Sequence, residues 1–270
     1  MSTNPFKSWL LRPKTHGPGK PPLGSWLQSC SPTVAEAMGL CGFDFLVVDM
    51  EHSPIDIAEA VSMLRAIAGT PAEPVVRLAW NDQVLVKRVL DAGARNLMFP
   101  FVQTPEEARA AVSYTRYPPH GVRGVAASHR ASRYGRATDY FETANDGIAV
   151  IIQLETPEAI ERLAEIAAVP GVDSLFVGPG DLSAAMGRLG EIGHPEVQAL
   201  IAQAAKAAHA AGKPVGIIAG NPDMLGRFQS YGYDWSAIAS DLAMLTGRAV
   251  EWIAALKGRA ATPAPANPAL

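Results

Sequence analysis

The chain has 270 residues and a formal net charge of −3 at pH 7, and 48% of its residues are hydrophobic. Such a hydrophobic fraction is normal for a globular protein with a full core, and the small negative charge offers no basic surface to a nucleic acid. The length suits a single α/β barrel, which takes roughly 250 residues. We therefore expect a globular protein with no nucleic-acid partner.

The two cysteines and the apolar runs indicate the compartment. Cys30 and Cys41 have neither a disulfide framework nor a metal-type spacing, which is typical of a reducing environment. The first residues contain no apolar run as long as the core of a signal peptide, and no later stretch approaches the roughly 20 apolar residues of a membrane span. We expect a cytoplasmic protein with no membrane segment.

Eight short apolar segments alternate with amphipathic segments along the chain. The apolar segments are predicted strands at Gly24–Gln28, Phe43–Val48, Pro74–Leu78, Asn96–Phe101, Ala149–Leu154, Ser174–Val177, Pro214–Ile218 and Trp235–Ile238. Helical spacing of apolar residues predicts helices at Ile55–Ala68, Gln83–Ala92, Pro105–Arg116, Pro157–Ala167, Pro195–Ala211 and Leu242–Leu256. Eight nearly continuous apolar strands with helices between them predict an α/β protein with a closed (β/α)8 TIM barrel.

The remaining segments set the predicted domain limits. Residues 1–22 mix Pro, Gly and Lys with a short apolar island and predict an arm that is loosely ordered or packs on a neighbouring molecule. The barrel domain is predicted over residues 23–257, and the Pro/Ala-rich residues 258–270 predict a disordered tail. The connection over residues 116–147 far exceeds the two to six residues or so that are usual in such folds, so we expect binding groups on it.

Two carboxylates follow consecutive predicted strands. Glu155 comes directly after Ala149–Leu154, and Asp181 comes shortly after Ser174–Val177. Because a right-handed strand–helix–strand unit places both carboxyl ends at one end of the barrel, we expect these side chains to be neighbours. Two hard oxygen donors suit a divalent cation such as Mg²⁺ or Mn²⁺. Taken singly, the segment beginning at Thr156 is a good helix start and Asp181 is equally suited to cap the next helix.

Other predicted strand ends carry polar side chains. Asp49 and His52 are three residues apart after the second strand, where the carboxylate could fix the imidazole tautomer for proton transfer. A lone loop histidine is more often only solvated. Arg77 ends the third strand, where it would either close the barrel in an ion pair or bind an anionic oxygen. Trp26 is equally suited to a pocket wall or to the core.

Five motifs together resemble the metal-dependent hydroxy-oxo-acid aldolases. That family includes 4-hydroxy-2-oxoheptanedioate aldolase and 2-dehydro-3-deoxyglucarate aldolase, and belongs with the citrate-lyase-like and phosphoenolpyruvate/pyruvate barrels. The motifs are Asp49-Met-Glu-His52-Ser-Pro, Val75-Val-Arg77-Leu-Ala-Trp-Asn-Asp82, Arg116-Tyr-Pro-Pro-His-Gly-Val-Arg123-Gly, Gln153-Leu-Glu155-Thr and Phe176-Val-Gly-Pro-Gly-Asp181-Leu-Ser. The resemblance covers roughly residues 23–256, in order and at the expected barrel positions.

The resemblance implies roles for five of these residues. Glu155 and Asp181 match the ligands of a divalent cation, which in the family is Mg²⁺, Mn²⁺ or Co²⁺. His52 matches the catalytic acid/base, oriented by Asp49. Arg77 matches the catalytic arginine that binds the pyruvate oxygen and stabilises the enolate. Asp181 also matches a group that contacts the substrate.

The resemblance also implies a substrate pocket and an assembly. Gln153 and the backbone around Gly180 match the groups that hold the pyruvate moiety, and Trp26 matches a pocket residue. Arg123, within a matching motif, is assigned to substrate binding, although its sequence position alone leaves its role open. Family members are hexamers with an exchanged last helix, and Asp91 matches a position at the subunit boundary. The segment Leu242–Leu256 fits exchange or packing on its own barrel equally well.

The implied reaction is the reversible cleavage of a 4-hydroxy-2-oxo acid to pyruvate and an aldehyde, which needs no Schiff-base lysine. Gly180 stands where an alanine is common, and the segment Val125–Arg133 is one residue shorter than in the heptanedioate enzymes. Both differences lie near the substrate, so the sequence does not identify the natural aldehyde, the physiological metal or the stereochemistry. Two alternatives are a CoA-ester lyase, which would need a basic groove, and a non-catalytic barrel that binds 2-oxo acids.

Overall fold

The computed structural model describes residues 4–12 and 21–258, and its centre is a closed barrel of eight parallel strands. Each strand pairs with its sequence neighbours, and β8 pairs with β1 to close the barrel. The strands are β1 Leu23–Leu27, β2 Phe45–Asp49, β3 Glu73–Arg77, β4 Asn96–Phe99, β5 Ala149–Leu154, β6 Ser174–Val177, β7 Val215–Ala219 and β8 Trp235–Ser240. The predicted (β/α)8 fold is confirmed.

Helices connect the strands and cover the outside of the barrel. They are α1 Pro5–Leu10, α2 Pro32–Gly39, α3 Ile57–Ile67, α4 Gln83–Asp91, α5 Pro105–Thr115, α6 Tyr140–Thr143, α7 Pro157–Glu161, α8 Leu163–Ala167, α9 Pro179–Ala185, α10 Pro195–Ala210, α11 Pro222–Ser230 and α12 Asp241–Lys257. Side chains before many of them accept a backbone hydrogen bond as N-caps, among them Ser31, Asp82, Thr104 and Asn221. Each strand therefore ends close to the start of a helix, at one end of the barrel.

The predicted element limits agree with the structure to within about two residues, and β5 and β6 agree residue for residue. One predicted helix is divided: Pro157–Ala167 is interrupted at Arg162, which is not helical and separates α7 from α8. Four helices within the barrel domain, α2, α6, α9 and α11, were not predicted. They have four to nine residues, too few for a clear helical repeat of apolar positions.

The described part of the N-terminal arm packs on its own barrel. Phe6 and Leu10 of α1 are buried, and the Phe6 ring contacts the rings of Phe45 and Trp235 inside the barrel. The Asn4 side chain donates hydrogen bonds to Asn96 and to Gly147 O. The expectation of a loose arm, or of one packed on a neighbour, is wrong for residues 4–12. This helix closes the amino-terminal end of the barrel.

The last helix has a different environment. In α12 only Asp241 is buried, and its carboxylate accepts the backbone N–H groups of Gln28 and Ser29. Leu245, Trp252 and other large apolar residues of α12 are exposed. The alternative of a helix packed on its own barrel is therefore wrong.

The barrel has two apolar layers, one inside the strands and one between strands and helices. Interior residues such as Trp26, Phe176 and Trp235 form a connected aromatic cluster. The outer layer is larger and is made of aliphatic residues from strands and helices. Within residues 4–12 and 21–258, no helix is long and apolar enough to cross a membrane.

Candidate active site

The polar residues of the site lie at the carboxyl-terminal ends of β2, β3, β5 and β6. Asp49 is the last residue of β2 and Arg77 the last of β3, and their Cα atoms are register partners. Gln153 is in β5, and Glu155 directly follows that strand. Asp181 lies in the first turn of α9, after β6. Parallel strands bring all these residues to one end of the barrel.

Arg77 and Asp49 form a buried bidentate ion pair. Nε of Arg77 donates to Oδ1 of Asp49 at 2.9 Å, and Nη2 donates to Oδ2 at 2.7 Å. Burial raises the pKa of Asp49, but the charge and hydrogen bonds of Arg77 outweigh it and hold that pKa below its usual range. Nη1 of Arg77 lies 3.0 Å from Oε2 of Glu51. Two carboxylates therefore fix the plane of the guanidinium.

The Arg77 side chain also lies over the ring of Trp26, with 5.4 Å between its Cζ and the ring centroid. Trp26 is buried in the barrel interior and its ring contacts Phe176. A cation over an indole face is favourable. The structure thus places Trp26 directly beneath the site, as a floor for the arginine.

His52 contacts Asp49 through its backbone. Oδ1 of Asp49 accepts the backbone N–H groups of Glu51 and His52, at 3.1 and 3.3 Å. The imidazole Nε2 lies 3.9 Å from Oε2 of Glu51, and half of the His52 side chain is exposed. Asp49 therefore shapes the loop that carries His52, while the carboxylate nearest the ring belongs to Glu51.

Glu155 is buried with a hydrogen-bond donor on each oxygen. Oε2 accepts the backbone N–H of Phe101 at 2.8 Å, and Oε1 accepts Nε2 of Gln153 at 2.6 Å. A Cβ atom at Gly178 would lie 2.6 Å from Oε1, so only glycine fits beside the carboxylate at this position. Packing and hydrogen bonds together determine the orientation of Glu155.

Negative charge accumulates around Glu155. Burial, followed by repulsion from Glu51 and Asp181, raises the pKa of Glu155 to about 8. Burial also raises the pKa of Glu51, more than the charge of Arg77 lowers it. Asp181 lies close enough to Glu155 for its charge to raise the pKa of Glu155. The expected convergence of the two carboxylates is therefore seen, with Glu51 as a third carboxylate nearby.

The N-termini of α7 and α9 show whether Thr156 and Asp181 act as helix caps. Thr156 caps α7 by accepting the backbone N–H of Ala159, as its sequence position suggested. Asp181 does not cap α9, because the N-cap of that helix is Gly178. Gly180 precedes Asp181 in the first turn, and its carbonyl accepts the Ser183 hydroxyl.

The structure does not bring Arg123 and Asp91 to the same end as Glu155. Asp91 ends α4, where the chain returns to the amino-terminal end of β4. Nη2 of Arg123 donates to Oδ1 of Asp91 at 2.8 Å and to the hydroxyl of Tyr140 at 3.0 Å. Within one chain Arg123 is therefore remote from Glu155 and Asp181. A single chain does not place Arg123 in the same substrate site as these carboxylates.

A cavity of about 910 Å³ lies at this amino-terminal end, lined in part by Arg95, Arg130, Arg133 and Arg136. None of the residues predicted to act on the substrate lines it. The predicted chemistry is at the opposite end of the barrel, at the strand ends where TIM-barrel enzymes place their active sites.

Sequence reasoning missed three contributors to the site. Glu51 lies between Asp49 and His52 in the sequence, so its position in that motif was a usable signal. Gln28 donates to Oδ2 of Asp49 from the end of β1. Phe101 contributes only its backbone N–H, which leaves no signal in the sequence.

The chain is similar to known aldolases over most of its length. The model of the HpcH/HpaI aldolase/citrate lyase family matches residues 23–247. The chain is 52% identical over 246 residues to 2-dehydro-3,6-dideoxy-6-sulfogluconate aldolase of Pseudomonas putida, covering 91% of this chain and 96% of that protein. It is 46% identical over 238 residues to 4-hydroxy-2-oxo-heptane-1,7-dioate aldolase of Klebsiella pneumoniae, covering 88% and 89%.

A solved structure agrees with this similarity. The crystal structure of an HpcH/HpaI aldolase/citrate lyase family protein from Burkholderia cenocepacia superposes with a TM-score of 0.89 at 42% identity, covering 94% of this chain and 100% of that one. The motifs at the strand ends lie within the matched residues. The chain belongs to the HpcH/HpaI aldolase/citrate lyase family and is an aldolase, an enzyme that cleaves carbon–carbon bonds.

Proposed function

We propose that this aldolase cleaves a 4-hydroxy-2-oxo acid to pyruvate and an aldehyde with the help of a divalent cation held by Glu155 and Asp181. The names of the two relatives above describe acids with an oxo (dehydro) group at C2. The observation that carries the cation is the surplus of carboxylates at the strand ends. Burial, followed by repulsion from Glu51 and Asp181, raises the pKa of Glu155 to about 8, and a cation beside it would favour the charged carboxylate.

The donor set fits Mg²⁺, Mn²⁺ or Co²⁺. Among residues 4–12 and 21–258, no group of three or more His, Cys, Asp or Glu side chains has the geometry of a closed metal cage. Two carboxylates are nevertheless what such cations commonly take from a protein, with water and substrate in the other positions. Oε1 of Gln153 is buried without a hydrogen-bond partner, so a polar atom beside Glu155 remains available.

When bound, the cation supplies a Lewis acid that offsets charge on the 2-oxo group. Arg77, held flat by Asp49 and Glu51, would donate its remaining N–H groups to an oxygen of the 2-oxo acid. His52 accepts the proton of the 4-hydroxyl group as the C3–C4 bond breaks. The bonding electrons pass to pyruvate as its enolate, whose oxygen Arg77 stabilises. Return of that proton from His52 to C3 then completes pyruvate.

Gln153, Gly180 and Trp26 position the pyruvate end of the substrate. Gln153 donates to Glu155 and retains its own oxygen without a partner. Gly180 brings backbone close to the site because it has no side chain. Trp26 supports Arg77 from below. In this proposal these residues orient the 2-oxo acid.

Replacement of Glu155 or Asp181 by Ala tests the cation assignment. We expect either variant to lose pyruvate release from 4-hydroxy-2-oxo acids at every Mg²⁺ or Mn²⁺ concentration while still folding. Glu158→Ala is the matched control, since Glu158 is exposed in the first turn of α7. Full activity of the unaltered enzyme in excess chelator would contradict the assignment.

The two alternatives from the sequence receive no support from the relatives. The relatives described above, at 52% and 46% identity, are named aldolases. A titration with acetyl-CoA separates the CoA-ester lyase from the aldolase, because only the lyase should bind it. Pyruvate release by itself excludes a non-catalytic barrel.

We also propose a homo-oligomer, a hexamer by resemblance, in which α12 packs on a second copy. The helix exposes Leu245, Trp252 and Leu256, which lie on one face because their spacings of seven and four residues are near whole turns. Asp91 is proposed for the subunit boundary. Leu245→Glu with Trp252→Glu should shift sedimentation toward the monomer, while Glu251→Lys on the side of the helix should not. A monomeric unaltered protein would contradict this proposal.

A further inference from the structure

Phe101 has an unusual backbone conformation at the carboxyl-terminal end of the barrel. It follows β4 and has a φ of 53°, in the left-handed region that residues with a Cβ atom rarely adopt. A large side chain in this region is an outlier that surrounding interactions must hold in place. The conformation therefore calls for a physical reason.

The consequence of this conformation is a hydrogen bond to Glu155. The backbone N–H of Phe101 donates to Oε2 at 2.8 Å, and Gln153 donates to the other oxygen. Glu155 is only 2% exposed, so these bonds and the nearby Gly178 determine where its free lone pairs point. A hydrogen bond to a carboxylate is among the stronger ones in a protein.

The Phe101 ring has a partner outside the core. It stacks on the ring of Trp80, which follows β3, with 6.2 Å between centroids and 27° between ring planes. The exposed fractions are 37% for Phe101 and 57% for Trp80. Core packing thus does not explain the pair. Stacked rings do, however, restrict the side chain and with it the backbone that carries the N–H.

We propose that Phe101 and Trp80 are positioning residues for Glu155. The stack holds Phe101 in its left-handed conformation, the N–H of Phe101 fixes Oε2, and the carboxylate is thereby oriented for a cation before that cation arrives. This inference rests on the proposed cation at Glu155 and Asp181. Its test therefore measures cation binding directly, without substrate or turnover.

The backbone requirement allows a graded test at one position. Glycine adopts a positive φ freely, alanine less readily, and the β-branched valine least of all. We expect Phe101→Gly to bind Mn²⁺ within about twofold of the unaltered protein, Phe101→Ala about five- to tenfold more weakly, and Phe101→Val more than about tenfold more weakly. Titration of the full-length protein with Mn²⁺ alone, followed by electron paramagnetic resonance, gives these affinities.

A double variant tests the stack itself. Trp80→Ala should weaken Mn²⁺ binding about threefold, because Phe101 loses the contact that holds it. Trp80→Ala combined with Phe101→Gly should bind as Phe101→Gly alone does, because glycine needs no stack to keep its conformation. Additive losses in the double variant would overturn the proposed role of the stack.

Tyr134 provides a matched control. It is also an exposed aromatic residue at positive φ, 57°, but it lines the cavity at the opposite end of the barrel. Tyr134→Ala and Tyr134→Gly should leave Mn²⁺ affinity unchanged. A Phe101→Gly variant as weak as Phe101→Val, or equal affinities across the series, would overturn the inference. If the unaltered protein binds no Mn²⁺, the proposed cation site is what fails.

Discussion

Arg77 and Arg123 are both almost completely buried, but they lie at opposite ends of the barrel and among different charges. Arg77 is held by Asp49 and Glu51, with two further carboxylates beyond them. Arg123 forms an ion pair with Asp91 and lies over the ring of Tyr117 at 4.4 Å. The Arg77 cluster has more carboxylates than arginines, whereas the Arg123 pair has one of each.

The difference shows which buried ion pair indicates function. In the Arg123–Asp91 pair one carboxylate offsets the charge of one guanidinium, which also packs on the rings of Tyr117 and Tyr140. In the group with one arginine and several carboxylates, burial and then repulsion from Glu51 and Asp181 raise the pKa of Glu155. Such an imbalance opposes folding of the unliganded chain, and a bound cation would relieve it. The proposed cation site would thus lower the stability of the unliganded chain.

Removing the charge of Glu155 should have the largest effect on activity of the changes considered. Glu155→Gln keeps the shape of the side chain, and we expect pyruvate release to fall about a thousandfold or more. The metal-free variant should nevertheless melt a few degrees higher, since about 1 kcal/mol corresponds to only a few degrees in a chain of this size. Activity assays with Mg²⁺ and thermal unfolding in chelator measure the two effects.

The pH dependence of that variant sharpens the same prediction. A carboxyl group whose folded pKa is raised, here to about 8, contributes stability below its unfolded pKa of about 4.3 and loses it as pH rises through 8. In chelator, the unaltered protein should therefore lose more stability than Glu155→Gln between pH 5 and 8. Identical pH slopes would argue against uncompensated charge at Glu155.

His52 tests whether the carboxyl-terminal end also moves protons. We expect His52→Ala to lower kcat about 10²- to 10⁴-fold with a much smaller change in KM, because an acid/base acts mainly in the transition state. His120→Ala is the control, since His120 is exposed on the long connection that follows α5. Steady-state kinetics of pyruvate release provide both parameters. An unchanged kcat would make His52 a structural residue.

Gly178 tests how closely Glu155 must be held. A Cβ atom there would lie 2.6 Å from Oε1 and 2.9 Å from Cγ of Glu155, so Gly178→Ala must displace the carboxylate. We expect kcat/KM to fall about 10- to 100-fold, as small misplacements of catalytic groups do. Gly226→Ala in α11 meets no atom within 4 Å and should keep full activity. Equal kinetics for the two variants would contradict the crowding at Glu155.

The sequence was informative wherever a pattern repeats. Apolar strands of four to six residues separated by amphipathic helices predicted the barrel, and strand ends predicted the convergence of Glu155 and Asp181 because parallel strands share an end. The position of Arg123, which within one chain is remote from Glu155, could not be predicted because Arg123 lies on a long connection without periodicity. The sequence offers no constraint on which end of the barrel such a connection covers.

Two kinds of contribution leave too little in the sequence to be found there. Phe101 acts through its backbone N–H, which nearly every residue type has, and its positive φ depends on tertiary contacts. The short helix α1 has an apolar island but no long repeat, so its packing inside the barrel end could not be derived. Glu51 is intermediate: its position beside His52 was visible, but its contact with Arg77 was not.

The smallest expected effect is at the Arg123–Asp91 pair. Asp91→Asn should lower the free energy of unfolding, whereas Glu155→Gln should raise it. The substitution at Asp91 leaves the Arg123 guanidinium buried without its carboxylate, and we expect a loss of about 1–2 kcal/mol in unfolding free energy, a reduced value because the Asp91 side chain is 23% exposed. Glu106→Gln, which removes an exposed ion pair with Arg109, should change stability by less than about 0.5 kcal/mol. Urea unfolding at one fixed protein concentration measures both, since assembly would otherwise enter the result. If Asp91→Asn proved as stabilising as Glu155→Gln, the ratio of carboxylates to arginines would not be what distinguishes the Arg77 cluster from the Arg123–Asp91 pair.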